Sequence, residues 1–95
     1  MGPREVIRRR LLISGAVQGV GFRYWAVREA AAFDVRGYVR NLRAGSVEAV
    51  LEGPRDEVAR FAETLSQGPP FGRVRRVDVI EEEPRGEFAS FDVKF

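Results

Sequence analysis

The sequence predicts an α+β sandwich of the ferredoxin-like, split βαβ type, in which two helices cover one face of an antiparallel sheet. Apolar residues alternate with polar ones in several stretches, as in half-buried strands, and recur every three to four residues in two others, as in amphipathic helices. The stretches follow one another as β-α-β-β-α-β, with a short terminal strand after them. Because 95 residues leave room for one core, we expect a single domain over residues 1–95, with residues 1–6 as a short N-terminal extension.

The first β-α unit shows both periodicities. A strand is predicted over residues 7–14, where three apolar residues share one parity and two arginines have the other. The next helix is predicted to begin at Phe22 and to end at Asp34. Its apolar residues fall within one arc of a helix with about 3.6 residues per turn: Phe22, Trp25, Ala26, Ala30 and Phe33.

A hairpin is predicted in the middle of the chain. Residues 35–42 read as a strand whose Val35 and Val39 share a face, and residues 46–53 alternate apolar and polar side chains. The short turn Arg43-Ala44-Gly45 joins them, which is typical of an antiparallel pair.

The second helix has the clearest boundaries. Pro54 is expected in its first turn, and Asp56 and Glu57 suit the positive end of the helix dipole. Gly68 and the two prolines after it end the helix. Its buried face is predicted from apolar spacing at i, i+3, i+4 and i+7: Val58, Phe61, Ala62 and Leu65.

Two further strands complete the predicted sheet. Residues 73–80 (RVRRVDVI) are predicted as a fourth strand, and a polar turn over residues 81–87 follows them. Residues 88–95 then alternate Phe91, Val93 and Phe95, which predicts a closing edge strand.

Composition excludes several classes of chemistry. The chain has no cysteine and no histidine, so thiolate nucleophiles, disulfides, Cys/His zinc sites and imidazole bases are all absent. We expect neither a metal nor a cofactor. No apolar stretch approaches the roughly 18 residues of a membrane span, and the basic start is followed only by Leu-Leu-Ile, too short for a signal-peptide core. A cytoplasmic protein without a membrane partner is therefore expected.

A glycine-rich loop stands between the first strand and the first helix. Gly15, Gly19 and Gly21 permit positive φ, so successive backbone N–H groups can turn inward around an anion at the positive end of the helix. Arg23 adds a charged donor fork one residue into the helix. The alternative is a strand-to-helix turn whose glycines only permit tight packing. The loop lacks the Gly-Lys-Ser/Thr end of a P-loop and, with Tyr24, the third glycine of a dinucleotide fingerprint.

Asn41 is the second candidate. It shares parity with Val39, so we expect it on the helix-covered side at the end of its strand, near the glycine loop. Its amide can hold a water molecule. The alternative is a turn residue that opens the hairpin, a common use of asparagine.

Three stretches together resemble the acylphosphatase family: GAVQGVGFR at residues 15–23, GYVRN at residues 37–41 and GSVEAVLEG at residues 45–53. The resemblance extends over nearly the whole chain. It implies a single ferredoxin-like domain that hydrolyses the carboxyl–phosphate bond of small acyl phosphates without a metal. The chain differs from the usual Asp-Gly of the family at the hairpin turn, where it has Ala44-Gly45.

The resemblance also implies the roles of individual residues. Arg23 holds the phosphoryl group, and Asn41 positions the attacking water. A free phosphate or sulfate ion is expected at the same loop, and the chain is expected to be a monomer. The backbone N–H groups that bind the phosphoryl group belong to Gln18, Gly19, Val20, Gly21, Phe22 and Arg23.

Two other functions stay open on the sequence alone. The same fold can present strand aromatics to RNA, and Tyr38 lies between Arg36 and Arg40 on its strand, although that pattern is equally expected of a solvated sheet face. We expect no nucleic-acid partner, because the aromatic spacing of RNA-binding strands is not present. A regulatory module that binds an anion at the loop without hydrolysis is the other alternative.

Overall fold

The computed structural model describes Gly2 and residues 4–95, so that Met1 and Pro3 of the expected N-terminal extension lie outside the described residues. The predicted order of elements is confirmed. No helix among the described residues is long and apolar enough to cross a membrane. The elements are β1 (Val6–Ala16), α1 (Phe22–Ala30), β2 (Arg36–Asn41), β3 (Val47–Pro54), α2 (Arg55–Gln67), β4 (Arg73–Glu82) and β5 (Phe91–Val93).

The five strands form one sheet in the order β4-β1-β3-β2-β5. The predicted antiparallel pairing holds for β1 with β3, β1 with β4 and β2 with β3. β5 instead lies parallel to β2, with Gly37 opposite Phe91, which makes the sheet mixed. The cause is geometric. β4 and β2 run in opposite directions, so β4 stops at the end of the sheet at which β2 starts, and a chain that crosses the sheet from there begins β5 in the direction of β2.

Both helices lie on one face of the sheet, as predicted. Leu11 and Ile13 of β1 and Leu51 of β3 are fully buried, and they share one core cluster with Ala26 of α1 and Phe61 of α2. All three strand side chains lie on the same face of the sheet. Leu11 pairs with Ala49 and Ile13 with Val47 across β1 and β3, and Leu51 is two residues after Ala49, so it shares their face. The opposite face, which we call the open face, carries charged and polar side chains.

Several element boundaries differ from the sequence prediction. β1 and β4 each end two residues later than predicted, at Ala16 and Glu82, and three other differences are informative. α1 ends at Ala30, not Asp34, because the N–H groups of the next residues turn back to carbonyls three positions earlier, for example Phe33 N to Ala30 O at 3.0 Å. Pro54 ends β3 and is the N-cap of α2, with φ −58° and ψ 141°, one residue before the first turn. β5 stops at Val93, and the Phe95 side chain is 88% exposed.

A chain of ion pairs covers the open face. Glu82 accepts from Arg8 Nε and from Arg10 Nε at 2.8 Å each, and Glu48 accepts from Arg10 and, at 2.7 Å, from Arg40 Nε. Arg8 and Glu48 are buried although they are charged. Burial raises the pKa of Glu48, but hydrogen bonds from Arg10, Tyr38 and Arg40 outweigh it and hold the pKa below its ordinary value. Each buried charge on this face is therefore paired.

Candidate active site

The glycine loop (residues 15–21) begins where β1 bends. The register of β1 on β4 shifts between Ser14 and Gly15, so that Gly15 lies opposite Val74 and not opposite Arg75. Gly15 has φ 133°, and a β-carbon there would lie 2.2 Å from the carbonyl oxygen of Arg73. Only glycine permits this close approach of the two backbones. After the bulge β1 continues as far as Ala16, opposite Arg73, and the chain then leads through the loop to α1.

The loop ends at the N-terminus of α1. Gly21 is the N-cap in the left-handed region, with φ 76° and ψ 21°, and no side chain caps the helix. Trp25 N donates to Gly21 O at 3.0 Å, and in the described part of the chain no backbone carbonyl accepts from the N–H groups of Phe22, Arg23 and Tyr24. These free donors lie at the positive end of the helix dipole. The arrangement is suited to an anion.

Arg23 brings an unneutralised charge to the same place. Its guanidinium carbon lies 5.3 Å from the ring centre of Phe95 and 5.7 Å from that of Tyr24. Among the described residues no carboxylate lies within ion-pair distance of Arg23, whereas Arg8 alone contacts three. The charge and the planar donor fork of Arg23 are therefore available to a ligand.

Gln18 connects the loop to the β2–β3 hairpin. Its side-chain Nε2 donates to Leu42 O at 2.7 Å and to Ser46 O at 2.8 Å. Leu42 directly follows Asn41, and Leu42 N in turn donates to Ser46 O at 2.8 Å. The side chain of Gln18 is therefore committed to the hairpin, and only its backbone N–H is left for a ligand.

Asn41 is the last residue of β2, and its side chain lies on the helix-covered face of the sheet, as the sequence predicts. It lies opposite Val47 and shares parity with the buried Val39, so it projects from the helix-covered face, and it is exposed. The Gln18 hydrogen bond to the next residue brings the loop and Asn41 to one end of the sheet. The two candidates that the sequence proposes separately thus belong to one neighbourhood.

The remaining loop residues contribute backbone, not side chains. Phe22 is 2% exposed and its ring packs edge-on against Trp25, with 5.3 Å between ring centres. Val20 packs against the core, and Gly19, with φ 77°, has open space around it. The side chains of Phe22 and Val20 therefore anchor the loop against the core. No group of three carboxylate, cysteine or histidine residues suited to a metal occurs within Gly2 and residues 4–95.

A family model described as Acylphosphatase matches residues 9–93, which span β1 to β5. The chain belongs to the acylphosphatase family. It is 50% identical over 83 residues to an acylphosphatase of Moorella thermoacetica, covering 87% of this chain and 89% of that one. An acylphosphatase of Pyrobaculum islandicum is 50% identical over 90 residues, 94% of this chain and 95% of the relative. The crystal structure of acylphosphatase from Bacillus subtilis has a TM-score of 0.88 at 34% identity, covering 94% of this chain and 99% of that one.

Membership in the family confirms the predicted activity. As an acylphosphatase, the protein is a hydrolase that acts on small acyl phosphates and splits the carboxyl–phosphate bond. The role of each site residue stays a prediction.

Sequence reasoning missed two features of this acylphosphatase site. It took Gln18 only as a source of a backbone N–H, although its side chain holds the hairpin. It also placed Phe95 in a strand by alternation, although the ring lies beside Arg23. Neither contact has a local signal, since Gln18 and Phe95 meet partners that are distant in sequence.

Proposed function

We propose that the backbone N–H groups of Gln18 to Arg23 bind the phosphoryl group of an acyl phosphate, with the guanidinium of Arg23 on the same oxygens. One observation carries this proposal. The N-terminus of α1 combines N–H groups without backbone partners and an arginine without a carboxylate partner, within the described residues. Both donors then stabilise charge on the equatorial oxygens during transfer.

Asn41 positions the attacking water in this proposal. Its exposed amide, at the same end of the sheet as the loop, can donate to or accept from a water in line with the leaving group. The water oxygen forms a bond to phosphorus as the bond from phosphorus to the acyl oxygen breaks. The electron pair leaves with the carboxylate, and a phosphate oxygen takes the proton of the water. Because a carboxylate is a good leaving group, the step needs neither a covalent nucleophile nor a metal.

The proposal includes the expected partners. Inorganic phosphate or sulfate competes with substrate at the loop, and the protein acts as a monomer in the cytoplasm without a nucleic-acid partner. Against RNA binding, Tyr38 is engaged on the open face: its OH donates to Glu48 at 3.1 Å and its ring contacts Phe88, with 5.9 Å between centres. A ring held in this way is poorly suited to stack on a base.

Benzoyl phosphate hydrolysis, followed by absorbance with a chelator present, tests the proposal. We expect turnover by the parent and a fall in kcat of about 10²- to 10³-fold in Arg23→Ala and in Asn41→Ala. Arg28→Ala is the matched control, because Arg28 is an exposed arginine of the same helix. A folded Arg23→Ala or Asn41→Ala variant that retains parental turnover contradicts the role of that residue.

A further inference from the structure

Tyr24 presents an exposed aromatic ring beside the proposed phosphoryl site. It is the third residue of α1 and is 51% exposed. The ring centre lies 5.7 Å from the guanidinium carbon of Arg23. In the described part of the chain no other aromatic ring packs against that of Tyr24, whereas Phe22 and Trp25 pack edge-on against each other. The ring of Tyr24 therefore serves neither the core nor an aromatic cluster.

The ring of Tyr24 lies toward the N-terminus of α1. Side chains of an α-helix lean toward its N-terminus, so a residue covers the turn before its own α-carbon. For Tyr24 that turn contains Gly21, the N-cap, and the N–H groups that have no backbone partner. The short distance to Arg23 agrees with this direction. Because an acyl group is joined to phosphorus through one oxygen, it must lie next to the phosphoryl group that these donors are proposed to bind.

Tyr24 and Asn41 lie on opposite sides of this N-terminus. The buried face of α1 carries Phe22 and Ala26 and packs against the sheet, in which β2 ends at Asn41. Tyr24 is two residues from each of them, a rotation of about 200°, so it lies on the helix face that points away from the sheet. In a displacement at phosphorus the attacking and leaving oxygens are roughly in line. With the water held by Asn41, the leaving oxygen and its acyl group therefore extend away from the sheet, toward Tyr24.

We propose that Tyr24 is a specificity-determining residue, whose ring packs against the acyl group of the substrate and favours flat, apolar acyl groups. This inference rests on the roles proposed above for Arg23 and Asn41. A benzoyl ring gains an offset or edge-on contact with the ring of Tyr24. The methyl group of acetyl phosphate buries much less surface, so it gains little from that ring. Since the contact with the acyl group is present both before and during phosphoryl transfer, it acts on KM and not on kcat.

The test compares Tyr24→Ala with the parent on benzoyl phosphate and on acetyl phosphate, with inhibition by inorganic phosphate as a third measurement. We expect the ratio of kcat/KM for benzoyl phosphate to that for acetyl phosphate to fall about 2- to 10-fold, the effect of one aromatic pair. The fall comes from a higher KM for benzoyl phosphate, and the inhibition constant of phosphate does not follow it. Tyr24→Phe keeps the parental ratio, because the ring and not the hydroxyl makes the contact. A smaller folded fraction would lower the turnover of both substrates and leave the ratio unchanged, so it cannot imitate this result.

Phe71→Ala is the matched control, because Phe71 is an aromatic residue that is 87% exposed and lies between α2 and β4. It should keep the parental ratio. Three results overturn the inference. The first is a parental ratio in Tyr24→Ala. The second is an equal loss for both substrates and for phosphate, which would place the effect on Arg23 and not on the acyl group. The third is an equal fall of the ratio in Phe71→Ala. Failure of the underlying roles has a different signature, because Arg23→Ala or Asn41→Ala would then keep the parental turnover.

Discussion

Gly15 and Gly21 both have positive φ, for different physical reasons. A β-carbon at Gly15 would meet the backbone of β4, whereas one at Gly21 would meet nothing within 4 Å. We predict that Gly15→Ala costs about 3 kcal/mol of unfolding free energy through this clash. Gly21→Ala costs about 1 kcal/mol, the price of left-handed backbone for a residue with a β-carbon.

Activity should rank the two variants in the opposite order. Gly21 shapes the N-terminus of α1, so its replacement turns the N–H groups away and lowers kcat/KM by about 10- to 100-fold. Urea denaturation and benzoyl phosphate kinetics check both rankings. An identical order in stability and in activity would contradict the separation of a packing glycine from a loop-shaping one.

Residue type and parity were enough to predict some site residues. Arg23 follows a glycine loop at a helix start, and Asn41 has the parity of Val39, so both could be located from the sequence. The side-chain directions of Gln18 and Phe95 could not, because each depends on a partner far away in the chain: Leu42 and Ser46 for Gln18, Arg23 for Phe95. Local periodicity has no information about such pairs.

At the scale of elements, Gln18 couples the loop to the hairpin. We predict that Gln18→Leu lowers the unfolding free energy by about 1 to 2 kcal/mol, because Leu42 O and Ser46 O each lose one of two donors and keep only a backbone N–H. It lowers kcat/KM by about tenfold through displacement of Asn41, less than Arg23→Ala, since the backbone N–H stays. Kinetics and denaturation measure both effects.

Gln67→Leu is the control for this variant, because Gln67 is an exposed glutamine at the end of α2. Parental kinetics in Gln18→Leu would show that the hairpin holds Asn41 without the loop.

Elements were predictable where periodicity is strong. α2 and the β2–β3 hairpin have clear patterns and lie within one residue of their predicted positions. The end of α1 was placed too late, because the tight turn after Ala30 keeps Phe33 on the core side without a helix. The parallel direction of β5 follows from the path of residues 83–90 across the open face, which no local pattern specifies.

For the whole molecule, the open-face ion pairs make stability depend on pH. Hydrogen bonds from Arg10 and Arg8 hold the pKa of Glu82 below its ordinary value. Burial raises the pKa of Glu52, but the N–H groups of Arg85 and Gly86 and the side chain of Arg8 bring it below that value. Since these pKa values are lower in the folded state, the carboxylates stabilise the fold above the ordinary value of 4.5, and that stability is lost as the pH falls further.

We therefore predict a melting temperature that is constant near neutral pH and falls below about pH 4.5. Glu48→Gln should cost about 2 kcal/mol at pH 7, and its difference from the parent should shrink as the pH falls below 4.5, because protonation of Glu48 then favours the unfolded state of the parent. Thermal melts across this range measure both. A difference that stays constant down to pH 3 would contradict the assignment of this stability to ionised carboxylates.

The central claim is that the loop N–H groups and Arg23 bind the phosphoryl group beside Asn41. Titration of the ¹⁵N-labelled protein with inorganic phosphate, followed by amide chemical shifts, tests it most directly. The account predicts that the largest shifts lie in Gln18 to Arg23 and in the side-chain amide of Asn41, and that Arg23→Ala weakens them. Shifts concentrated elsewhere, or none at phosphate concentrations that inhibit turnover, would contradict it.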